Sequence, residues 1–166
     1  MSITIEKATA ADAAEMLTFL KQVGGETDNL TFGGEGLPLS VEAEADYLAG
    51  MEHSTNNIIL VAKENGKIIG NASLSRMPRR MNHRGDFSIV VAKAFWNRGI
   101  GGQLMRVILD FARENNFEKI DLQVRSDNVA AIHLYEKFGF VKLCTYPAFF
   151  RIKGEYVDVE FMCLQM

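Results

Sequence analysis

The amino-acid sequence predicts a mixed α/β fold of the α+β type, formed as a single domain by residues 1–166. Short segments that alternate apolar and polar residues, as half-buried strands do, are interspersed with segments of helical spacing. Three strand-like segments follow one another without a helix between them, which indicates a meander and not strict βαβ units. A chain of 166 residues can enclose one well-covered hydrophobic core but is short for two.

The first predicted strand covers residues 2–8, where isoleucines alternate with polar neighbours. Helix-start chemistry begins at Thr9, and the apolar residues that follow at helical spacing predict a first helix that ends at Gly24 and Gly25. Residues 25–40 then hold four glycines and a proline without a sustained period. A loop of this length in a compact domain is usually functional or disordered.

A second helix is predicted from Ser40, which stands at a capping position, to about Met51. After it come three strands, and the first two flank Asn65 and Gly66, a dipeptide typical of a tight hairpin turn. These strands are predicted over residues 57–63, 67–76 and 86–92.

The remainder of the chain is predicted to alternate helices with strands and to end in a hairpin. One helix, over residues 101–115, carries its apolar residues on one face. Another covers residues 128–138, and Gly139 follows it where a left-handed C-terminal cap is expected. The strands are predicted over residues 119–124, 141–151 and 156–164.

The composition argues against several classes of protein. Hydrophobic residues make up 48% of the chain and charged residues 23%, as in ordinary globular domains. The apolar runs are strand-sized and no secretory signal is visible, so we expect no membrane partner and a cytoplasmic protein. Cys144 and Cys163 are expected to be reduced, buried thiols. No cluster of His, Cys, Asp and Glu has metal-ligand spacing, so no metal is expected.

One dense basic run lies in the connection between the predicted strands 67–76 and 86–92. Its members are Arg76, Arg79, Arg80, His83 and Arg84. An RNA or phosphate patch is one interpretation, but the run lacks interleaved aromatic residues and the chain has a net charge of −3, which argues against nucleic acid. We favour a solvated connection between the two strands.

The stretch WNRGIGGQL, residues 96–104, follows the predicted strand 86–92 and opens a helix. Unpaired N–H groups at a helix N-terminus suit phosphate oxygens, and glycines let an anion approach the main chain closely. A nucleotide P-loop is disfavoured because the stretch lacks a Gly-Lys-Ser/Thr ending. The dinucleotide fingerprint is disfavoured because Leu104 replaces its third glycine and Val124 and Arg125 stand where an acidic residue is needed.

A third interpretation accounts for more of the chain. WNRGIGGQL after IVVAKAF resembles the pyrophosphate loop of the GNAT superfamily of N-acetyltransferases, Gln/Arg-x-x-Gly-x-Gly/Ala, with Trp96 in place of Gln or Arg. Residues 128–140 resemble that superfamily's second cofactor motif, Asn-x-x-Ala-x-x-Leu-Tyr-x-x-x-Gly-Phe, at every fixed position. The order of elements is also similar to the superfamily's fold throughout, and the residue-level resemblance runs from Asp86 to Phe140.

The resemblance implies a mostly antiparallel seven-stranded sheet with about four flanking helices, in which strands four and five splay apart. It also implies transfer of an acetyl group from acetyl-CoA to an amine, directly, in a ternary complex. The residues it assigns to the pyrophosphate are Asn97, Arg98, Gly99, Ile100, Gly101 and Gly102, and those whose main chain would bond the thioester and pantetheine are Ile89, Val90 and Val91. Asn128 would bond the pantetheine arm, and Tyr135 would give the departing sulfur its proton.

The sequence leaves the base and the acceptor more open. Asp86, on or just before strand four, is a candidate catalytic base acting through water, and Glu26 and Asp28 are alternatives for binding a cationic amine. We expect the acceptor to be the primary amine of a small molecule or peptide. The segments expected to shape its pocket are residues 25–40, 78–84 and 146–156. The alternatives are a non-catalytic CoA-binding sensor, a protein or ribosomal N-terminal acetyltransferase and an RNA-associated protein. A homodimer formed through the last strands or the loop is a further open prediction.

Overall fold

The computed structural model describes residues 2–166 of the chain, and these residues form seven strands and four α-helices in the predicted order. The strands are β1 Ile3–Lys7, β2 Asn57–Glu64, β3 Lys67–Arg76, β4 Arg84–Val91, β5 Lys119–Arg125, β6 Val141–Ile152 and β7 Glu155–Gln165. The helices are α1 Ala13–Glu26, α2 Val41–Met51, α3 Ile100–Glu114 and α4 Val129–Lys137.

The strands form one mixed sheet in the order β1-β2-β3-β4-β5-β7-β6. Pairing is antiparallel for β1 with β2, β2 with β3, β5 with β7, and β6 with β7. Only a short parallel ladder joins β4 to β5, Arg84 to Asp86 on one strand against Lys119 to Asp121 on the other. Because β4 continues to Val91, this short ladder confirms the predicted sheet with splayed strands four and five.

Two tight turns close the hairpins that the sequence predicted. Asn65 and Gly66, between β2 and β3, have φ angles of 52° and 77°. Lys153 and Gly154, between β6 and β7, have φ angles of 51° and 84°. Two successive positive φ angles are the conformation whose twist matches that of antiparallel strands, and the second position suits glycine.

The helices begin where the local sequence supplies a cap. Ser40 precedes α2, and its Oγ accepts a hydrogen bond of 3.1 Å from the N–H of Ala43, as predicted. The full capping box is absent because Ala43 has no side-chain acceptor for the Ser40 N–H. None of the helices in residues 2–166 has the length and apolarity needed to cross a membrane.

The chain forms two compact units. The first contains the residues up to Ser75 together with Ser88–Asn115, and the second contains Arg76–Phe87 and Asn116–Met166. In the first unit, Phe19 of α1, Leu48 of α2 and Val61 of β2 are buried in a shared apolar core. In the second unit, Ile120 and Leu122 are buried at alternate positions of β5, which is the period expected of a strand.

Two expectations from the sequence are wrong. Gly24 and Gly25 do not end the first helix, which continues to Glu26. A Cβ on Gly24 would lie 2.1 Å from the carbonyl oxygen of Gly33, so this glycine allows the following loop to approach the helix closely. Cys144 is exposed, although Cys163 is buried and both are free thiols. Cys144 is exposed because β6 is the edge strand of the sheet.

Candidate active site

The glycine stretch predicted to bind an anion forms the start of α3 in the first unit. Gly99 is the N-cap residue, and its φ of 74° is left-handed, a conformation that glycine adopts at little cost. No atom lies within 4 Å of the position that its Cβ would occupy. The N–H of Gln103 bonds the Gly99 carbonyl at 3.1 Å, so the N–H groups of residues 100–102 precede the helical ladder. This end of the helix can therefore donate hydrogen bonds to an anion.

Trp96 and Arg98, on either side of Asn97, are held by side-chain contacts. The indole Nε1 of Trp96 donates to the carbonyl oxygen of Val91 at 2.7 Å, although the residue is 44% exposed. Arg98 forms an ion pair of 2.8 Å with Glu64, and its guanidinium lies 5.0 Å from the centre of the Phe95 ring. The Arg98 charge is therefore partly neutralised within the protein.

Glu26, predicted as one alternative for binding a cationic amine, already has a partner on each carboxylate oxygen. Its Oε2 accepts a hydrogen bond of 2.8 Å from the N–H of Lys93, which starts a short 3₁₀ turn, Lys93–Phe95. Its Oε1 accepts a bond of 2.8 Å from the side-chain amide of Gln22. These bonds give Glu26 a structural role between α1 and the segment after β4. Asp28 is exposed in the loop after α1.

A pocket of about 400 Å³ lies in the first unit, where α1, α2 and the loop between them meet the sheet. Its lining residues are Met16, Leu20, Leu37, Leu39, Ala43, Glu44, Tyr47, Ile59, Asn71 and Ser73. Glu44 is only 5% exposed, and burial raises the pKa of its carboxyl. Sequence analysis missed Glu44, although its spacing of four residues from Leu48 put it on the apolar face of α2.

Tyr135 of α4 lies in an aromatic cluster of the second unit. Its ring is 6.1 Å from that of Phe87, edge to face, and 5.9 Å from that of Phe140. The residue is 6% exposed. Burial raises the pKa of the Tyr135 hydroxyl, so this group is protonated at neutral pH.

Asn128 is the N-cap residue of α4. Its side-chain oxygen accepts a hydrogen bond of 3.3 Å from the N–H of Ala131, and its carbonyl oxygen accepts one of 3.1 Å from Ile132. Gly139 follows the helix with a φ of 97°, the left-handed conformation predicted for it. These two ends define the helix that holds Tyr135.

Asp86 stands opposite Asp121 in the short ladder between β4 and β5. The Nε of Arg84 forms an ion pair of 2.7 Å with Asp121. Although solvent reaches Asp86, surrounding protein atoms displace part of its hydration and raise the pKa of its carboxyl. The charge of Asp121 raises this pKa further, and Arg84 partly opposes the rise. Asp86 therefore titrates closer to neutral pH than an ordinary aspartate.

The basic connection before β4 is in large part structural. Arg76 donates to the carbonyl oxygen of Asn82 at 2.5 Å, and its guanidinium lies 3.9 Å from the centre of the Phe117 ring. The His83 carbonyl oxygen accepts hydrogen bonds from the N–H groups of residues 118 and 119. Only Arg79 and Arg80 of the run are largely exposed. Across residues 2–166, no three His, Cys, Asp or Glu side chains are grouped so as to hold a metal ion.

The last hairpin exposes large apolar side chains on its edge strand. These are Val141, Leu143, Tyr146 and Phe149 of β6, and Tyr156 of β7 is exposed with them. An edge strand with such residues is able to pair with another chain. The homodimer expected from the sequence stays a prediction, since the structure describes one chain.

The model of the acetyltransferase (GNAT) family matches residues 28–140 of this chain. The chain is 35% identical over 102 residues to the N-alpha-acetyltransferase RimI of Mycobacterium tuberculosis, a match that covers 61% of this chain and 63% of that protein. It is also 35% identical over 106 residues to the L-amino acid N-acetyltransferase AaaT of Escherichia coli, with 62% of this chain and 65% of that protein covered. The match thus spans a little under two thirds of each relative's length.

Solved structures resemble the chain over nearly its full length. The acetyltransferase of GNAT family from Streptococcus pneumoniae has a TM-score of 0.96 and 34% identity, covering 99% of this chain and 100% of that one. The protein yncA from Salmonella typhimurium, determined with its cofactor acetyl-CoA, has a TM-score of 0.85 and 23% identity, covering 99% and 94%. The second likeness concerns the fold alone, and the first confirms the predicted fold class.

Proposed function

This chain belongs to the acetyltransferase (GNAT) family, and we propose on that premise that it transfers an acetyl group from acetyl-CoA to a primary amine. The observation that carries the proposal is the start of α3, which lies in the matched region 28–140. There the φ angle of Gly99 is left-handed, and no atom lies within 4 Å of the position that a Cβ would occupy. A loop of this kind leaves main-chain N–H groups accessible to a pyrophosphate.

Acetyl-CoA fits the residues at this helix start. The N–H groups of Ile100, Gly101 and Gly102 precede the helical ladder, so they can donate to the pyrophosphate oxygens without losing helical bonds. Asn97, whose φ of 62° is also left-handed, and Arg98 complete the assigned loop. Because Arg98 is paired with Glu64, main-chain donors carry most of the binding in this assignment.

The other assignments concern the thioester end. We assign the main-chain N–H groups of Ile89, Val90 and Val91 to the acetyl oxygen and the pantetheine arm. The Asn128 side-chain oxygen caps α4, so its amide nitrogen is the group we assign to the pantetheine arm. Oriented N–H donors aimed at a developing oxyanion are commonly worth roughly 3 kcal/mol.

Acetyl-CoA, when bound, supplies an activated thioester. The neutral amine nitrogen forms a bond to the acetyl carbon as the carbon–sulfur bond breaks, and the Tyr135 hydroxyl gives its proton to the sulfur. Burial favours the protonated form of Tyr135, which keeps that proton available. Asp86 takes, through water, the proton that the attacking nitrogen loses, and its raised pKa makes it a stronger base than an ordinary aspartate. Solvent then carries this proton to the Tyr135 oxygen, which restores both side chains.

We propose the primary amino group of a small molecule or a peptide as the acceptor. This choice is supported by the names of the two relatives, one an N-alpha-acetyltransferase and the other an L-amino acid N-acetyltransferase. We also assign the activity to the cytoplasm, a compartment in which the free thiols of Cys144 and Cys163 stay reduced.

Two measurements on the purified full chain test the proposal. Calorimetry measures CoA binding, and a thiol-release assay follows acetyl-CoA consumption over a panel of amines, amino acids and peptides. We expect CoA to bind and at least one acceptor to release the thiol. Binding without release for any acceptor would favour a CoA-binding sensor, and no binding at all would exclude both functions.

A further inference from the structure

Glu44 carries a buried carboxylate that the protein itself does not neutralise. Three acidic residues are buried in residues 2–166, and two of them have partners. Asp12 forms an ion pair of 2.7 Å with Lys63, and Glu160 accepts a hydrogen bond of 2.8 Å from Thr145. The Glu44 carboxylate has neither an ion pair nor a hydrogen bond within the described residues. Burial partly desolvates this carboxylate and raises its pKa, so a cationic partner from outside the chain would stabilise its ionised form.

The pocket that Glu44 lines is otherwise apolar. Its walls include Leu20 and Ile59, and Leu37, Leu39 and Tyr47 are the exposed apolar residues at its rim. Its volume of about 400 Å³ lies within the range of small-molecule sites, which is roughly 300 to 1,000 Å³. An amine with a compact apolar body matches these dimensions and walls.

Besides the hydroxyl of the exposed Tyr47, the lining has two uncharged polar side chains, and both are already engaged within the protein. The Asn71 amide donates to the carbonyl oxygen of Leu60 at 2.9 Å, and the Ser73 hydroxyl shares a hydrogen bond of 2.8 Å with that of Ser88. None of the described residues that line the pocket is basic. The pocket thus offers one anionic group and no cationic partner for a ligand carboxylate.

The pocket also adjoins the strand assigned to the acetyl group. Ser73 lines the pocket, and its partner Ser88 immediately precedes Ile89, the first of the three residues assigned to the thioester end. A ligand held in this pocket would therefore lie beside the part of β4 that begins at Ser88, within the first unit. An acceptor pocket at this position is consistent with direct transfer.

We propose that this pocket selects the acceptor: Glu44 binds the incoming ammonium group, and the apolar walls hold its body. The ammonium group gives one proton to water before its neutral nitrogen attacks. The inference rests on the proposed function and narrows it. A ligand carboxylate next to the ammonium group would be repelled by the Glu44 carboxylate. It would also have no basic partner among the described residues that line the pocket. The favoured acceptors are therefore apolar primary amines and the apolar N-termini of peptides, and free amino acids are disfavoured.

Three probes of one shape test the proposal by calorimetry on the full chain, without acetyl-CoA. 3-Methylbutylamine carries the ammonium group alone, leucine adds a carboxylate, and 3-methyl-1-butanol has no charge. We expect the amine to bind about tenfold or more tightly than either of the others, because a charge-assisted bond forms only with it. Equal affinity for leucine and the amine would overturn the proposal.

Variants locate the effect at Glu44. Glu44→Gln should lower the affinity for 3-methylbutylamine about tenfold or more and leave that for 3-methyl-1-butanol unchanged. Glu42→Gln is the matched control, since Glu42 is an exposed carboxylate on the same helix, and it should change neither affinity. Wild-type affinity for the amine in Glu44→Gln contradicts the assignment.

A second variant keeps the test independent of the stability of Glu44→Gln. Ala43 is exposed and lines the pocket, so Ala43→Trp fills the space while Glu44 stays in place. We expect it to abolish amine binding, and undiminished binding would show that the pocket is not the site. CoA calorimetry separates the two proposals. Absence of CoA binding by the wild type would overturn the proposed function, whereas variants that bind CoA normally but lose the amine locate the defect in the acceptor pocket.

Discussion

The indole Nε1 of Trp96 donates a hydrogen bond of 2.7 Å to the main-chain oxygen of Val91. This bond joins the loop that precedes α3 to the end of β4, two segments assigned to opposite ends of acetyl-CoA. Trp96 occupies the position at which the resembling family motif has a polar Gln or Arg. The side chain therefore positions the loop, and in the proposed assignment the main-chain N–H groups hold the pyrophosphate.

Trp96→Phe removes this hydrogen bond and keeps an aromatic ring. Since the residue is 44% exposed, we expect the free energy of unfolding to fall by only about 1 kcal/mol, the usual worth of one hydrogen bond. CoA affinity should fall several-fold because the loop is less firmly held. Calorimetry with CoA and chemical denaturation measure the two effects, and Tyr47→Phe is a control at an exposed aromatic residue of α2. Unchanged CoA affinity would show that the bond has no part in binding.

Gly99→Ala tests the anion site at the start of α3. The left-handed φ of 74° makes alanine strained by roughly 1 kcal/mol, and its Cβ would enter the space assigned to the pyrophosphate. Gly66→Ala is a matched control, because Gly66 has a φ of 77° and the same open surroundings in a hairpin turn. We expect similar losses of stability, but a fall in CoA affinity of about tenfold or more only for Gly99→Ala. Equal CoA affinities for the two variants would exclude the site.

Tyr135→Phe tests the proton donor. The change keeps the ring packed against Phe87 and Phe140 and removes only the hydroxyl. We expect turnover at saturating acetyl-CoA to fall by about two orders of magnitude, the lower end of general acid catalysis, with CoA affinity unchanged. Wild-type turnover in Tyr135→Phe would remove Tyr135 as the acid.

Asp86→Asn tests the base through the pH dependence of kcat/KM. The ionised carboxylate is the active form, so activity should fall as the pH drops through the raised pKa of Asp86. Asp86→Asn should have low activity without this acid limb. Arg84→Gln removes the charge that opposes the rise, so its acid limb should move to higher pH. An acid limb that persists in Asp86→Asn belongs to another group.

Glu44→Gln also has a consequence for stability. Burial raises the pKa of Glu44 in the folded protein above its unfolded value, so folding is favoured by the protonated form. That contribution is fully present below the unfolded pKa and is lost as the pH rises through the raised pKa. Glu44→Gln should therefore have the higher melting temperature at neutral pH, and the difference should shrink toward about pH 4. The melting temperature of Glu42→Gln should match that of the wild type at each pH. A lower melting temperature for Glu44→Gln than for the wild type at neutral pH would show that burial of the Glu44 carboxylate does not destabilise the fold.

Much of the fold could be predicted because its signals are local. Alternation of period two predicts half-buried strands, and Asn65 with Gly66 predicts a turn that needs two left-handed residues. The cap at Ser40 acts on an N–H three residues away. Each of these features depends on side chains and torsions within a few residues of chain, so reading along the sequence was sufficient.

The sequence by itself determined the order of the elements, the glycine start of α3 and the motif helix that carries Tyr135. Only the tertiary structure decided that Gly24 lies inside α1, that Trp96 bonds Val91 and that Glu44 is buried beside Ile59. Burial and close approach depend on which distant segments of the chain pack together. The pattern of apolar and polar residues in a helix or strand does not specify the segment against which it packs. The charge without a partner, and with it the chemistry of the proposed acceptor pocket, therefore became visible only in the folded chain.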